Sequence, residues 1–371
     1  MKFLHTADWH IGKKLHGFDL HDEQADAYRQ ILAIALREQV DAVVIAGDLY
    51  DRALPSEDNV SQLNHMLIDL NLTNKLPLLA ISGNHDSATR LHVGSEWYAQ
   101  TNYFLNTELS GAFEPVDLGD TQFFLLPYFE PWQVRNVFED DSIRTVEQAM
   151  KLVVAKQQEH FDPAKKHVLV AHFFAAGSST TDSETKVVVG GLNAVPLDLL
   201  EPFDYVALGH LHNHHALNQP RMRYSGSPVK FSLSEAGETK GVWVVDTTAM
   251  TETYEALTPV RDVVTLTDSF EHLTEPDYYQ TLDRDAYYGL TLTDKAIIPD
   301  VMNQLRQVYP RIVSLERQFG REALPTVATV DTSAAPLTLF GDFFEYVNEE
   351  TMNEQQTQWA KDSLQKAEHE E

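Results

Sequence analysis

Five short motifs each place polar side chains directly after a predicted β-strand. They are DWH at 8–10, GDLYDR at 47–52, GNHD at 83–86, AHF at 171–173 and GHLH at 209–212. In open α/β sheets, functional groups collect beyond the carboxyl ends of the strands, so the five motifs are expected to converge. This convergence requires an α/β core, because five separated strand ends have to meet in one place.

The motifs contain the ligands for a site that holds two divalent cations about 4 Å apart, which need a shared ligand. Asp48 is the expected bridge, since a carboxylate has two oxygens. Asp8 and His10 are two residues apart, so an extended segment would put both side chains on one face. Asn84 offers a carbonyl oxygen that needs no deprotonation. The complete predicted ligand set is Asp8, His10, Asp48, Asn84, His172, His210 and His212.

Two residues of GNHD are expected to act beside the cations. His85 cannot easily bind the same ion as its neighbour Asn84, so we predict that it donates a proton to the leaving oxygen. Asp86 is predicted to fix the local turn or to orient a histidine. His214 and His215 are predicted to be structural, because four ligands from one short loop would crowd the site. The predicted chemistry is metal-assisted attack on a phosphate ester.

Composition limits the kind of protein and of site. A chain of 371 residues with 43% hydrophobic content is expected to form two or three domains. It contains no cysteine, so a metal must be held by nitrogen and oxygen, and manganese, iron and zinc all remain admissible. No apolar run approaches the roughly 18 residues that span a bilayer, and no leader precedes the first strand. We therefore expect a soluble, cytoplasmic protein without membrane contact.

The net charge of −28 argues against DNA as a ligand unless the acidity is localised. Two bound cations would reverse the local field where a phosphate sits. Scattered, solvated charge is the alternative interpretation of the basic residues near the motifs. Those residues are Lys13, Lys14, Arg52, Arg90, Arg221, Arg223 and Lys230.

Strand and helix patterns alternate through the first 260 residues and predict a layered α/β core. The helix predicted at 22–39 would bury Ala25, Tyr28, Leu32 and Ala35. The pattern then changes to a small α+β module with predicted strands at 263–266, 287–292 and 312–318 and a helix at 299–308. The strands predicted for the core are 2–6, 43–46, 77–81, 123–126, 168–171, 205–208 and 242–246, with further helices at 60–70 and 145–160.

An apolar face at helical spacing marks the C-terminal segment. It suits docking on a partner helix, and packing on the chain's own second module remains an open alternative. The residues of this face are Leu339, Phe340, Phe343, Phe344 and Val347.

With the opening MKFLHTADWHIGKKLHG and the later YSGSPVKFSLSE, the motif set resembles the calcineurin-like metallophosphoesterases. More narrowly, it is similar to the DNA nucleases of that family that work with an SMC-like ATPase. The resemblance covers nearly the whole chain. It implies a four-layer α/β sandwich core at 1–261, a small α+β capping domain for DNA at 262–334, and a helical C-terminal segment at 335–371 that binds the ATPase. It also implies a homodimer within the larger complex.

The resemblance also implies roles for individual residues. One cation, most often Mn²⁺, would be held by Asp8, His10, Asp48 and His212. The second would be held by Asp48, Asn84, His172 and His210, with His85 as the catalytic histidine. Relatives often carry a second histidine shortly after the GD motif, where this chain has Asp51 and Arg52. A second acid or stabilising role is therefore either absent or supplied by Arg52, and Asp51 alternatively only caps a turn.

The leading hypothesis is a manganese-dependent DNA nuclease. By resemblance it would be a 3'–5' exonuclease on duplex ends and an endonuclease on single-stranded and hairpin DNA, acting in repair and recombination. A stand-alone phosphodiesterase or phosphatase acting on nucleotides or phosphoproteins is the alternative, favoured by the acidity. A scaffold that has lost its chemistry is disfavoured by the intact ligand set.

Overall fold

The computed structural model describes residues 1–184, 194–318, 336–348 and 351–369. The chain divides into two compact units, Met1–Glu316 and Arg317–Glu371. The strands are β1 Lys2–Thr6, β2 Lys14–Leu15, β3 Phe18–Asp19, β4 Ala42–Ala46, β5 Leu78–Ile81, β6 Tyr103–Asn106, β7 Val116–Leu118, β8 Thr121–Leu126, β9 Lys166–His172, β10 Tyr205–Gly209, β11 Met222–Tyr224, β12 Gly241–Asp246, β13 Thr251–Ala256, β14 Val263–Asp268, β15 Tyr287–Leu292 and β16 Ile312–Arg317.

Two mixed sheets form the core of the first unit. The first sheet has the order β13-β12-β1-β4-β5-β6, and the second has the order β11-β10-β9-β8-β7. In the first sheet, β1 runs parallel to β4, with Leu4 opposite Val43, and antiparallel to β12, with Leu4 opposite Val244. Central strands such as β4, AVVIA, are buried on both faces, which explains their continuous apolar runs.

Helices cover the outer faces of both sheets. The first helix begins and ends close to its predicted bounds, but its buried face is Ala27, Ile31, Ile34 and Ala35 with Tyr28, so the predicted face was shifted by part of a turn. The helices are α1 His21–Arg37, α2 Glu57–Ile68, α3 Ala88–His92, α4 Ser95–Ala99, α5 Pro131–Phe138, α6 Val146–Gln158, α7 Phe270–Leu273, α8 Pro276–Tyr279, α9 Val301–Val308, α10 Pro336–Asn348 and α11 Glu354–His369.

The packing confirms the predicted four-layer sandwich. One apolar cluster joins the first sheet to α1 and α2 through residues such as Ile31 and Leu63. Another joins the second sheet to α6 through Val153. A third fills the space between the sheets with side chains that include Phe3 and Phe123. The carboxyl ends of the parallel strands from both sheets therefore open at one shared edge.

A small three-stranded sheet with the order β14-β15-β16 follows the core in the chain. It has its own apolar cluster, which includes Leu273, Leu305 and Tyr309. The observed strands and α9 match the elements predicted for this module to within a few residues. Arg261, at the junction with the core, pairs with Glu23 of α1 at 2.6 Å. Residues 319–334, which the prediction included in this module, lie outside the described residues.

The second unit contains α10 and α11, which contact each other. Phe340 and Phe343 of α10 are exposed, as is Trp359 of α11. The side chain of Val347 lies outside the described residues. Among the described residues, no helix combines the length and the apolar character needed to cross a bilayer.

Candidate metal centre

The predicted ligands lie where the strands of both sheets end. Asp8 follows β1, Asp48 follows β4 and Asn84 follows β5, all in the first sheet. In the second sheet, His172 is the last residue of β9, and His210 comes directly after β10. His10 and His212 lie two residues further along in the same loops as Asp8 and His210. The structure therefore brings all seven predicted ligands to one edge of the sandwich.

Four of these ligands have a left-handed backbone. The φ angles are 54° at Asp8, 44° at His10, 52° at Asp48 and 94° at His210. The expectation that Asp8 and His10 lie in an extended segment was wrong, because the chain coils tightly there. Such conformations cost roughly 1 kcal/mol or more per residue and are tolerated best by Asn, Asp and His. Backbone hydrogen bonds hold the coil, with the Asp8 amide donating to the Gly47 carbonyl at 3.1 Å.

One group of ligand atoms surrounds His10. Its Nε2 lies 3.1 Å from Nε2 of His212 and 3.5 Å from Oδ2 of Asp48. Asp8 offers a carboxylate oxygen within 4.8 Å of both His10 and His212 ligand atoms. Nitrogen and oxygen lone pairs that face one another this closely are the arrangement that a cation requires.

A second group surrounds His172. Its Nε2 lies 3.2 Å from Oδ2 of Asp48 and 3.0 Å from Oδ1 of Asn84. The same Asn84 oxygen lies 3.0 Å from Nδ1 of His210. Asp48 is thus adjacent to both groups, as the predicted bridge has to be.

The ionisation of three buried histidines fits divalent cations. Burial lowers the pKa of His10 and of His212 well below its ordinary value, and lowers that of His210 to about 3, which keeps these rings in the neutral form that binds metals. Burial also raises the pKa of Asp8 well above its ordinary range. For His172 the effect of burial is outweighed by Asp48, which raises the pKa to about 9.

Two glycines are required by the close approach of the ligands. A Cβ at Gly47, which has a φ of +90°, would lie 2.4 Å from Nδ1 of His172. A Cβ at Gly83 would lie 2.1 Å from Oδ1 of Asp48. Both distances are far below van der Waals contact, so any side chain at these positions would displace a ligand.

His85 lies beside the ligands and contacts the other two motif loops of the first sheet. Its backbone amide donates to Oδ1 of Asp48 at 2.9 Å, and its Nδ1 donates to the carbonyl of Asp51 at 2.9 Å. Its ring packs edge-on against that of His10, with the centroids 4.7 Å apart. These contacts hold the imidazole beside the ligands.

Asp86 ties the GDLYDR loop to the GNHD loop. Its carboxylate accepts hydrogen bonds from the backbone amides of Leu49 at 3.1 Å, Tyr50 at 3.0 Å and Gly83 at 3.0 Å. Burial and the nearby Asp48 raise the pKa of Asp86 to about 6. Its contacts are those of a clamp on the backbone.

Arg52 lies on the outer rim of the centre. Its side chain is 84% exposed and pairs with Asp51 at 3.5 Å. Asp51 also pairs with Lys13 at 3.2 Å, so it compensates two of the basic residues near the motifs. His214, which was predicted to be structural, stacks on Tyr254, with the ring centroids 3.8 Å apart.

Sequence reasoning missed four residues that surround His212. Ser183 contacts its ring, Glu184 and Lys240 hold its backbone, and the buried Glu235 contacts Ser183. They come from loops without periodicity or metal-ligand spacing. The one sequence signal was YSGSPVKFSLSE, which contains Glu235 and which carried part of the family resemblance.

Comparisons with known proteins agree with this geometry. Residues 1–214 match the family model of the calcineurin-like phosphoesterases, and residues 259–348 match the family model described as Type 5 capsule protein repressor C-terminal domain. The SbcD subunit of nuclease SbcCD from Staphylococcus epidermidis is 35% identical over 318 residues, which cover 85% of each chain.

Two solved structures also align with the chain. A Thermus thermophilus protein is 12% identical with a TM-score of 0.42, over 69% of this chain and 98% of its own. A dimetal phosphatase from Danio rerio is 14% identical with a TM-score of 0.41, over 66% of this chain and 91% of its own.

Proposed function

Since the chain belongs to the calcineurin-like phosphoesterases and, within them, to the relatives of the SbcD nuclease, we propose that it hydrolyses DNA phosphodiester bonds with two Mn²⁺ ions. The observation that carries this proposal is the convergence of seven ligand side chains with Asp48 between two groups. We further propose 3'–5' exonuclease action on duplex ends and endonuclease action on single-stranded and hairpin DNA. Because the proposed substrate is chromosomal DNA, we propose that the protein acts in the cytoplasm.

The ligand distances support a division into two cation positions. Asp8, His10, Asp48 and His212 would hold one ion, and Asp48, Asn84, His172 and His210 the other. When bound, two divalent cations polarise the phosphate and lower the pKa of a water molecule toward neutrality. Neutral imidazoles, carboxylates and an amide are ligands that manganese accepts.

His85 is the proposed proton donor to the leaving oxygen. Because its Nδ1 donates to the Asp51 carbonyl, a protonated ring carries its second proton on Nε2. The Asp86 clamp would keep the His85 loop in register with the Asp48 loop. Arg52 would stabilise charge from the rim, since its exposed guanidinium can move toward a phosphate.

The decisive experiment compares the native chain with His85→Gln on a labelled hairpin duplex in Mn²⁺. His85→Gln should bind two Mn²⁺ ions and lose cleavage by about 100-fold or more, since general acid catalysis typically contributes that much. The matched control is His65→Gln, which removes an exposed imidazole from α2. Cleavage by His85→Gln at the native rate would eliminate the proton-donor role.

The same assay separates the nuclease from the stand-alone phosphodiesterase. The acidity of the chain, with a net charge of −28, favours the second candidate. Hydrolysis of an aryl phosphodiester without cleavage of hairpin or plasmid DNA would support that candidate and contradict the nuclease.

We propose that residues 262–334 form a capping domain that helps to seat DNA. Arg261 supports this idea, because it anchors the module to the core by pairing with Glu23 at 2.6 Å and Asp285 at 3.1 Å. Arg306, exposed on α9, is a candidate phosphate contact. Arg306→Glu should weaken hairpin binding and lower its salt dependence, whereas Lys156→Glu on α6 should not. Equal binding by native protein and Arg306→Glu would exclude this contact with DNA.

The partner proposed for residues 335–371 is the SMC-like ATPase SbcC. Exposed Phe340, Phe343 and Trp359 support a docking helix pair, because large apolar groups on a small unit favour burial against another protein. A chain that ends at residue 334 should no longer co-purify with SbcC. Unchanged co-purification would rule out this docking role.

We also propose that two copies of the chain associate through α2, α3 and α4. An apolar groove of about 730 Å³ lies there, lined by residues that include Val60, Val93 and Trp97. Trp97 is 79% exposed, which is unusual for so large an apolar side chain. Trp97→Glu should give a monomer in sedimentation experiments, whereas Trp132→Glu on α5 should not. A native chain that is monomeric at micromolar concentration would contradict this interface.

A further inference from the structure

His212 is held by residues that lie outside the five motifs. Its backbone amide donates to Oε1 of Glu184 at 2.7 Å, and its carbonyl accepts from Nζ of Lys240 at 2.8 Å. Its Nδ1 lies 2.6 Å from Oγ of Ser183. The polar atom that faces the ligand group is Nε2, which lies 3.1 Å from Nε2 of His10.

The direction of the hydrogen bonds identifies the tautomer of His212. Ser183 Oγ also lies 2.6 Å from Oε1 of Glu235, a fully buried residue whose other oxygen pairs with Lys240 at 2.6 Å. An ionised carboxylate only accepts, so the single hydroxyl hydrogen of Ser183 points to Glu235. Ser183 Oγ must then accept from His212 Nδ1–H. The lone pair of the ring is left on Nε2, where a cation would bind.

When its Nε2 binds a cation, His172 would have the same tautomer by a different route. Its Nδ1 lies 2.8 Å from the backbone carbonyl of Ala46, which can only accept. The backbone therefore orients His172 in one ligand group. In the other group, three side chains in series, Ser183, Glu235 and Lys240, have this role.

We propose that Ser183, Glu235 and Lys240 form a positioning relay that sets the affinity of the cation position containing His212, an inference that rests on the proposed two-cation function. The relay keeps the proton on Nδ1 and orients the ring. Loss of such an outer partner typically weakens metal binding by about 10- to 100-fold. The position that contains His172 should not respond, because the Ala46 carbonyl, and not the relay, holds His172.

A direct Mn²⁺ titration of the full chain tests the relay, with free Mn²⁺ followed by electron paramagnetic resonance. Ser183→Ala should weaken the binding of one of the two ions by about 10- to 100-fold and leave the affinity for the other unchanged. Ser183→Thr retains a hydroxyl and should keep the native affinity. The matched control is Ser110→Ala, which removes an exposed hydroxyl from the segment between β6 and β7.

Three outcomes would overturn the relay. They are native affinity at both positions in Ser183→Ala, equal weakening of both positions, and an equal loss in Ser183→Thr and Ser183→Ala. A native chain that binds fewer than two Mn²⁺ ions would instead refute the proposed two-cation function on which the relay rests.

The tautomer gives a readout that does not depend on metal. In metal-free protein with ¹⁵N-labelled histidine, the long-range ¹H–¹⁵N correlations of His212 should show a protonated Nδ1, with the signal assigned by its absence in His212→Gln. Ser183→Ala should shift this ring toward the Nε2-protonated form and leave His172 unaffected. A native His212 that carries its proton on Nε2 would overturn the relay.

Discussion

The two sheets contribute different chemistry to the same centre. The first sheet supplies the oxygen ligands Asp8, Asp48 and Asn84 together with His10, whereas the second supplies imidazoles. Each proposed cation position needs ligands from both sheets. The metal centre therefore depends on the packing of the two sheets against each other, because neither sheet supplies all the ligands of a cation position by itself.

The contacts between the sheets are therefore part of the site. His5 of β1 is buried and lies 3.2 Å from the Tyr205 hydroxyl and 3.2 Å from the Leu208 carbonyl, both on β10. At the edge, Arg223 of β11 makes a two-pronged ion pair with Glu252 of β13, at 2.9 and 2.7 Å. Substitutions can distinguish the loss of a metal ligand from the loss of contacts between the two sheets.

The largest effect is expected at the ligand that both positions share. Asp48→Ala should reduce bound Mn²⁺ from two ions to almost none and lower cleavage by at least about 1,000-fold, since metal ions contribute several kcal/mol to catalysis. His172→Ala, in the second sheet, should keep one ion. Both quantities come from equilibrium Mn²⁺ titration and the hairpin assay. If Asp48→Ala still bound two Mn²⁺ ions, Asp48 would not be the ligand that both positions share.

Removal of the Asp86 clamp should test the first sheet alone. Asp86→Ala leaves three backbone amides without their acceptor, at about 1 kcal/mol each, so the free energy of unfolding should fall by about 3 kcal/mol. Urea unfolding in EDTA measures this change, with the exposed Asp58→Ala as control. A loss below about 1 kcal/mol would mean that the loops hold their conformation without the clamp.

The docking of the sheets should depend on pH through His5. Burial lowers the pKa of His5 to about 3, so below about pH 6.5 the unfolded chain takes up a proton that the folded chain does not. Stability should therefore fall as pH decreases, by about 2 kcal/mol between pH 7 and pH 5 from this residue. His5→Gln should lack that part of the slope in urea unfolding at both pH values. Equal slopes would show that another group is responsible.

The smallest effect is expected at the edge of the sandwich. Arg223→Ala removes an ion pair that is partly solvated, so it should cost about 1 kcal/mol of unfolding free energy and leave Mn²⁺ stoichiometry at the native value. Arg223→Lys retains the charge without the two-pronged geometry, so its free energy of unfolding should lie between those of the native chain and Arg223→Ala. A change in the Mn²⁺ stoichiometry of Arg223→Ala would show that this edge contact also maintains the metal centre.

The sequence predicted the central elements well because they are governed by local pattern. The continuous apolar run of β4 and the strand β15 appear where expected, and the ligands follow strand ends as predicted. The buried face of α1 was less accurate, since Ala25 and Leu32 are only partly buried, whereas Ile31 and Ile34 lie in the core. Which face is buried depends on the tertiary position of the sheet beneath the helix, which periodicity alone does not give.

Contacts between distant loops were beyond sequence reasoning. Glu235 and Ser183 meet across 52 positions of the chain, and neither belongs to a pattern that indicates a ligand or its support. The left-handed backbone at Asp8 and His10 was also missed, because a two-residue spacing reads most simply as extended chain. Both features arise from loop packing at the strand ends.

The left-handed backbone at Asp8, His10, Asp48 and His210 limits how this centre can change during evolution. Glycine, asparagine, aspartate and histidine are the residues that occupy such conformations at low cost, whereas β-branched residues do so poorly. Apart from glycine, these are residue types that coordinate metals through oxygen or nitrogen. Substitutions that preserve folding at these four positions should therefore favour glycine and residue types that can themselves bind metals. A deep mutational scan that selects for folding alone should enrich glycine, asparagine, aspartate and histidine there.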